Sequence, residues 1–136
     1  MAACARSAAR TLRCLLVCGG LVCAASPLAE AGEACPSFDD VPARIAAAPG
    51  CAEAFAVMDS CQLGSSGDVA SGEAVEAKCE PLFVAKLTAP RKRAYEVAKA
   101  RCSTKYAGKQ VTMYLSFAAF CSAKLAVDYA RRYGHP

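Results

Sequence analysis

The chain contains a single histidine and no tryptophan among its 136 residues. The histidine is His135, at the edge of the sequence, where it cannot serve Ser-His-Asp catalysis, Cys-His catalysis or a His-containing zinc site, because each needs an imidazole held inside a site. A Cys-x-x-Cys pair, a Cys-x-x-Cys-His haem signal and a glycine-rich phosphate loop are also missing. The sequence therefore predicts a protein that is not an enzyme and holds no cofactor or metal.

Cysteine, by contrast, is abundant, with ten residues in two groups. Four lie in an apolar N-terminal stretch and six are spread through the rest of the chain. They are Cys4, Cys14, Cys18 and Cys23 in the first group, and Cys35, Cys51, Cys61, Cys79, Cys102 and Cys121 in the second. An even number of widely spaced cysteines is typical of a small exported domain held by disulfides.

Residues 1–31 have the order of a secretory signal peptide. Three arginines precede an apolar run over residues 14–25, which is too short to span a bilayer, since that needs ~20 residues. Small residues then offer cleavage before Ser26 or before Gly32. We predict that residues 1–31 are removed. An uncleaved interfacial or anchoring helix is the alternative, and Val17 and Val22 disfavour a lipoprotein signal because each precedes a cysteine where a small residue is expected.

Residues 32–136 are predicted to form a single all-α, disulfide-rich domain of four to five helices. Proline and glycine mark the helix ends, and no segment shows the alternation of a strand. The predicted segments are a short helix from Asp39 to Pro49, a helix from Cys51 to Leu63, a loop from Gly64 to Gly67, a helix from about Ser71 that Pro81 interrupts, a helix from Pro90 to Gly108, and a last helix from Val111 to Tyr133. Few large aliphatic residues are available for the core, so three disulfides at ~2–4 kcal/mol each are expected to supply much of the stability.

Charge is divided along this domain. Residues 32–85 carry nine acidic and two basic side chains, a net of −7, and residues 86–136 carry eleven basic and two acidic ones, a net of +9. One interpretation is that the two halves pack together and neutralise each other. The other is that one face binds a charged partner. Nucleic acid is disfavoured as that partner, because an exported protein is separated from the usual nucleic-acid targets and no recognition motif is present.

Two further patterns are interpreted as structural. The neighbouring Asp39 and Asp40 are predicted to cap a helix. An aromatic stripe at helical spacing is predicted to lie in the core and not to form a ligand platform; its members are Tyr95, Tyr106, Tyr114, Phe117 and Tyr129.

From Cys51 onward the spacing of residues resembles a known bacterial envelope family. The likeness is carried by Cys51 with Met58-x-x-Cys61, by residues 93–102 ending in Cys102, by the turn at residues 108–114, and by residues 114–121 ending in Cys121 with Leu125 and Arg131 beyond it. These segments resemble the lysozyme inhibitor LprI-like N-terminal domain. The chain lacks the family's tryptophan and its Tyr-Arg-Asp before the third cysteine, so it resembles a divergent member.

The resemblance implies the disulfide pairs Cys51–Cys61 and Cys102–Cys121, which leaves Cys35–Cys79. Helix geometry alone favours a different partner for Cys102. Cys102 lies ~9 Å of helix rise before Gly108 and Cys121 lies ~17 Å beyond Lys109, whereas bonded cysteines have Cα atoms ~4.4–6.8 Å apart. Cys79–Cys102, nearly symmetric about Pro90, therefore stays open as an alternative.

Two functions are predicted for such a domain. The resemblance and the acidic first half imply a non-enzymatic binder or inhibitor of a basic protein such as lysozyme, contacted through Asp59, Asp68, Glu73 and Glu76 around the Gly64–Gly67 loop. The alternative is an envelope structural or scaffold protein whose basic half binds an anionic polymer or lipid through residues 91–93, Lys99, Lys105 and Lys109. Either way, we expect a periplasmic or extracellular protein with no stable membrane span.

Overall fold

Residue 35, residues 37–109 and residues 111–134 are described by the computed structural model, so the predicted signal peptide and His135 lie outside the described residues. Within them the chain forms five α-helices and no strand, which confirms the predicted all-α class. The helices are α1 (Val41–Ala47), α2 (Cys51–Ser60), α3 (Gly67–Cys79), α4 (Ala89–Thr104) and α5 (Met113–Tyr133). Three short 3-10 turns cover Phe38–Asp40, Glu80–Leu82 and Val84–Lys86.

Proline sets several helix boundaries. Pro42 lies in the first turn of α1, where its missing N–H leaves no hydrogen bond unmade. Ala48 ends that helix in an extended conformation because it precedes Pro49. Pro81 ends α3 by breaking the hydrogen-bonding pattern, and the chain continues as a 3-10 turn. Asp39 and Asp40, predicted to cap α1, make no side-chain cap hydrogen bond, because Asp40 itself has helical dihedral angles.

Helices α3 and α5 run in the same direction at the centre of the fold. Near their N-terminal ends, Ser116 of α5 donates a hydrogen bond of 2.6 Å to Asp68 of α3. Near their C-terminal ends, the ring of Phe83 lies 5.7 Å from that of Tyr129. Helices α1 and α2 pack against α3, and α4 packs against α5. The three helices of the acidic half, α1 to α3, therefore pack together, and α4 of the basic half packs on α5.

The core contains few large side chains. Phe83 is fully buried and packs edge-on against Tyr95, with ring centroids 5.1 Å apart. Small residues fill much of the remainder, including Ala123, Ala126 and Ala130 on the face of α5 that packs against α3. The predicted aromatic stripe is only partly in this core, because Tyr95 and Tyr129 belong to it whereas Phe117 is exposed.

Three disulfides connect the six cysteines of the domain, and two of the predicted pairs are wrong. The structure pairs Cys35 with Cys61 and Cys51 with Cys79, instead of Cys51 with Cys61 and Cys35 with Cys79. The reason is helix direction. Cys51 and Cys61 lie ~15 Å apart along α2, too far for a bond. Because α2 runs antiparallel to α3, Cys51 instead lies beside the last residue of α3, with Cα atoms 5.0 Å apart.

The third pair, Cys102–Cys121, is present, with Cα atoms 5.5 Å apart. The mismatch expected from helix rise disappears because α4 ends at Thr104 and not at Gly108, and α5 begins at Met113. The long connection between the two helices, described over residues 105–109 and 111–112, allows the two cysteines to lie side by side. Cys79–Cys102, the open alternative, is therefore wrong.

The disulfides indicate an oxidising compartment of the kind that exported proteins occupy. Of the helices in the described part of the chain, none combines the length and the apolar character needed to cross a membrane.

Candidate functional site

A cleft of about 430 Å³ lies between α3 and α4, with α5 as its floor. It exists because α3 and α4 each pack on α5 but leave a gap between themselves. Gly72, Glu73 and Glu76 line the α3 side, Lys99, Tyr106 and Lys109 line the α4 side, and Leu115, Ala118 and Ser122 lie on the floor. The cleft therefore combines carboxylates, ammonium groups and aromatic rings over an apolar base.

An ion-pair network connects the two walls of the cleft. Lys99 of α4 pairs with Glu76 of α3 at 2.5 Å and with Glu80 in the following turn at 2.6 Å. Burial acts to lower the pKa of Lys99, but hydrogen bonds and charges from Glu76 and Glu80 outweigh it and raise that pKa. Tyr95 donates a hydrogen bond of 2.8 Å to Glu80. Burial first, then this hydrogen bond and the nearby carboxylates, raise the pKa of the Tyr95 phenol well above its ordinary range.

The remaining aromatic residues of the predicted stripe form an outer cluster at the mouth of the cleft. Tyr106, Tyr114 and Phe117 have ring centroids 5.8 to 6.0 Å apart. The ammonium group of Lys105 lies 5.2 Å from the Tyr106 ring centroid, and that of Lys109 lies 5.7 Å from the Tyr114 centroid. These distances permit cation–π attraction, which keeps both lysines close to the rings.

Asp68, predicted to contact a partner, is a structural residue. It is 1% exposed and accepts hydrogen bonds of 2.9 Å from the backbone N–H groups of Leu63 and Gly64. Ser116 donates a third hydrogen bond to it. A buried carboxylate needs such donors to offset its lost hydration. Asp68 therefore fixes the loop before α3 and links it to α5, and cannot reach a partner in this structure.

The other three predicted contact residues do not form one surface. Glu76 is half-buried and ion-paired with Lys99. Glu73 is exposed and lines the cleft. Asp59 is exposed near the end of α2 and does not line the cleft. Of the predicted acidic set, only Glu73 is therefore both exposed and part of the cleft.

The basic residues are arranged differently. We name the exposed cations of α4 and the following turn the basic surface; its members are Arg91, Lys92, Arg93, Arg101, Lys105 and Lys109. Among the residues that the structure describes, none of these six forms an ion pair. Only Tyr95 and Cys102 of α4 are buried, so most of this helix faces solvent. Glu96 is the single acidic residue of α4.

Sequence reasoning missed the exposure at the beginning of α5. Phe117 of the predicted aromatic stripe is exposed, as are the neighbouring large apolar side chains of Val111, Met113 and Leu115. The available signal was that Leu115 and Phe117, two positions apart, point to opposite sides of a helix, so one neighbouring helix cannot cover both.

Metal binding is not indicated by the side chains described here, which contain no cluster of three or more potential ligands. No protein-family model matches the chain, and neither a curated protein nor a solved structure does. The likeness to the LprI-like domain thus rests on residue spacing and stays a prediction.

Proposed function

We propose that this chain is an exported, non-enzymatic binding protein of the periplasmic or extracellular space, and that its basic surface binds an anionic partner in the cell envelope. The observation that carries this proposal is the exposure of six cations on and just after α4 without ion pairs among the described residues. Of the two functions predicted from the sequence, this one is favoured, because the acidic set is divided between buried, paired and separated residues.

The attachment of α4 suits this role. Tyr95 anchors the first half of the helix in the core, 4.8 Å from the Tyr129 ring centroid. The Cys102–Cys121 disulfide anchors the second half. Because α4 is fixed at two points, its cations keep a defined spacing on the surface. Less of the free energy of binding a polyanion is then spent on ordering the protein.

Binding to a soluble polyanion tests the proposal. The full chain is secreted from a bacterial host, purified in its oxidised form, and titrated with polyphosphate at low and at physiological salt. We expect binding that weakens as salt rises, because cations on the surface are screened and counterions compete. An Arg93→Gln/Arg101→Gln variant should bind several-fold more weakly and show a smaller salt dependence.

A second double variant is matched in charge. Arg44→Gln/Lys124→Gln also removes two positive charges, but from α1 and α5. If the basic surface is the binding site, this control retains most of the affinity. Equal losses in both variants would show that only net charge matters, and no binding by the folded wild-type protein would overturn the proposal.

A second candidate function is favoured by one observation at the cleft. Glu73 is exposed there and, within the described part of the chain, makes no hydrogen bond or ion pair. Its carboxylate shares the cleft with Tyr106 and Tyr114, a combination that can hold the stem and charge of a lysine or arginine side chain. This is the chemistry needed to bind a basic protein such as lysozyme.

A lysozyme activity assay at two salt concentrations tests that second candidate. Stoichiometric inhibition that weakens with salt is the expected result, and Glu73→Gln should slow association because it removes the exposed carboxylate. Asp39→Asn is the control, since it neutralises an exposed carboxylate beside α1. Inhibition that is absent, or equally reduced by both changes, contradicts a role for the cleft.

A further inference from the structure

Four large apolar side chains are exposed together where α5 begins. Val111, Met113, Leu115 and Phe117 have exposed fractions of 56%, 40%, 49% and 37%. Only two other large apolar side chains are exposed among the described residues, Leu82 and Val97. We call Val111, Met113, Leu115 and Phe117 the apolar corner. Its members lie within seven positions of the chain, so it is a local feature and not a general property of the surface.

The geometry of the apolar corner decides what can cover it. Successive residues of a helix are turned by ~100°, so Met113 and Phe117 share one side of the first turns of α5 and Leu115 points to the opposite side. Val111 lies just before the helix begins. In that turn only Ser116 is buried, through its hydrogen bond to Asp68. A rigid protein partner covers one side of a helix end. A lipid headgroup layer can surround it, because lipids rearrange around an inserted group.

Charge around the corner favours an anionic lipid layer. No acidic residue occurs between Glu96 and Asp128, and five basic residues do. Lys105 and Lys109 lie directly before the corner and are held against the rings of Tyr106 and Tyr114. Glu73 and Glu76 line the adjoining cleft, and Glu76 shares the ammonium group of Lys99 with Glu80. Tyrosines and lysines around an apolar insertion are typical of a protein at a membrane interface.

We propose that the apolar corner inserts into the headgroup layer of an anionic lipid bilayer, while Lys105 and Lys109 bind lipid phosphates. On this proposal the protein lies on the membrane without spanning it, with the first turns of α5 as the inserted part. The proposal rests on the function proposed above and names lipid as the anionic partner. It adds an apolar contribution to binding, which a soluble polyanion cannot provide.

The chain has no tryptophan, so a Met113→Trp variant carries a single indole as a reporter. It is titrated with phosphatidylcholine vesicles and with vesicles that also contain phosphatidylglycerol. We expect the indole emission to shift to shorter wavelength, and to be quenched by lipid-attached quenchers, only with the anionic vesicles. Leu82→Trp is the matched control, because Leu82 is 43% exposed but follows α3, at the opposite end of the bundle.

Two further variants separate the apolar and ionic contributions. Leu115→Ser should weaken binding to anionic vesicles about tenfold, from the transfer free energy of a leucine side chain, whereas Leu82→Ser leaves it unchanged. Lys105→Gln/Lys109→Gln should weaken it about 25-fold, that is about fivefold for each basic residue near an anionic surface. Circular dichroism confirms that each variant is helical, and mass spectrometry confirms that all share one N-terminus.

Several outcomes would overturn the proposal. Binding of polyphosphate without a shift of the Met113→Trp emission on anionic vesicles would leave the basic surface as a polyanion site and exclude lipid insertion. Equal effects of Leu115→Ser and Leu82→Ser would exclude the corner. If the wild-type protein is a dimer by light scattering, and Leu115→Ser makes it monomeric without affecting vesicle binding, a second copy of the chain covers the corner instead.

Discussion

Gly72 of α3 and Ala119 of α5 touch at the centre of the fold. A Cβ atom placed on Gly72 would lie 3.0 Å from the Cβ atom of Ala119 and 3.2 Å from its carbonyl oxygen. Separations this short have to be relieved by movement of one helix. Ala123 and Ala126, further along the same face of α5, are fully buried. The two central helices thus approach closely because the side chains between them are small.

Replacing Gly72 by a large residue should therefore destabilise the protein. Gly72→Leu is expected to lower the free energy of unfolding by at least about 1–3 kcal/mol, the usual cost of overpacking. Ala70→Leu is the control, because Ala70 is an exposed residue of the same helix. Urea denaturation followed by circular dichroism compares the two midpoints. Similar midpoints would show that α3 and α5 are not in close contact.

Asp68 should contribute to stability and not directly to binding. Asp68→Ala leaves the N–H groups of Leu63 and Gly64 and the hydroxyl of Ser116 without their acceptor. We expect the free energy of unfolding to fall by about 3 kcal/mol, from the loss of buried hydrogen bonds to a charged group. Ser116→Ala removes one of the three bonds and should cost less.

The control for this prediction is Asp59→Ala, which removes an exposed carboxylate and should change stability by less than about 0.5 kcal/mol. Thermal and urea denaturation give both values. An Asp68→Ala protein as stable as Asp59→Ala would contradict the hydrogen bonds described for the buried carboxylate.

The disulfide pairing can be read from a tryptic digest without reduction. The peptide of residues 45–78 contains both Cys51 and Cys61, since no lysine or arginine lies between Arg44 and Lys78. The structure predicts that this peptide is bonded to two others, the one ending at Arg44 and residues 79–86. The pairing implied by the family resemblance predicts that it is released alone, with an internal bond.

A second cleavage at Asp59 separates Cys51 from Cys61 and assigns each partner by mass. Cys35 should be recovered with Cys61, and Cys79 with Cys51. Residues 102–105 should be bonded to residues 110–124 through Cys102 and Cys121. Recovery of residues 45–78 as an isolated peptide is the result that the structure does not allow.

Alkaline pH should unfold the protein partly through Tyr95. The pKa of its phenol is raised in the folded state above the ordinary value of 10.0, so above that pH the unfolded chain releases a proton that the folded one retains. The stabilisation is complete below about pH 10 and is lost above it, at up to ~1.4 kcal/mol per pH unit. Tyr95→Phe should reduce the slope. Tyr106→Phe, which removes a phenol of the outer cluster, should leave this slope unchanged. Urea titrations at several pH values give the free energy of unfolding, and hence the slope, for each variant.

The helices were predictable because proline and glycine determine where they end. Pro49, Pro81 and Pro90 lie at or beside helix boundaries that the sequence places within a few residues. The start of α3 was predicted near Ser71, whereas it begins at Gly67. Sequence alone did not reveal that Asp68, just inside this start, turns inward to bind the preceding loop.

The packing of α5 was less predictable, because apolar residues along a helix do not show which of them a neighbouring helix can cover. Val111, Leu115 and Phe117 are exposed, whereas Ser116, Ala123 and Ala126 are buried. Size favours burial only if a neighbouring helix has room, and at Gly72 and Ala119 the helices α3 and α5 lie too close together for a large side chain. The same limitation affected the disulfides, since pairing depends on the relative direction of α2 and α3 and not on spacing along the chain.

The small residues of the core have a thermal consequence. Among the residues that the structure describes, fifteen hydrophobic ones are buried, and nine of these are alanine or cysteine. The disulfides also keep the unfolded chain from exposing all of its surface. The heat capacity of unfolding increases with the apolar area that becomes hydrated. We therefore expect this protein to fall below the usual ~12–15 cal/mol/K per residue. Its stability should accordingly vary little with temperature.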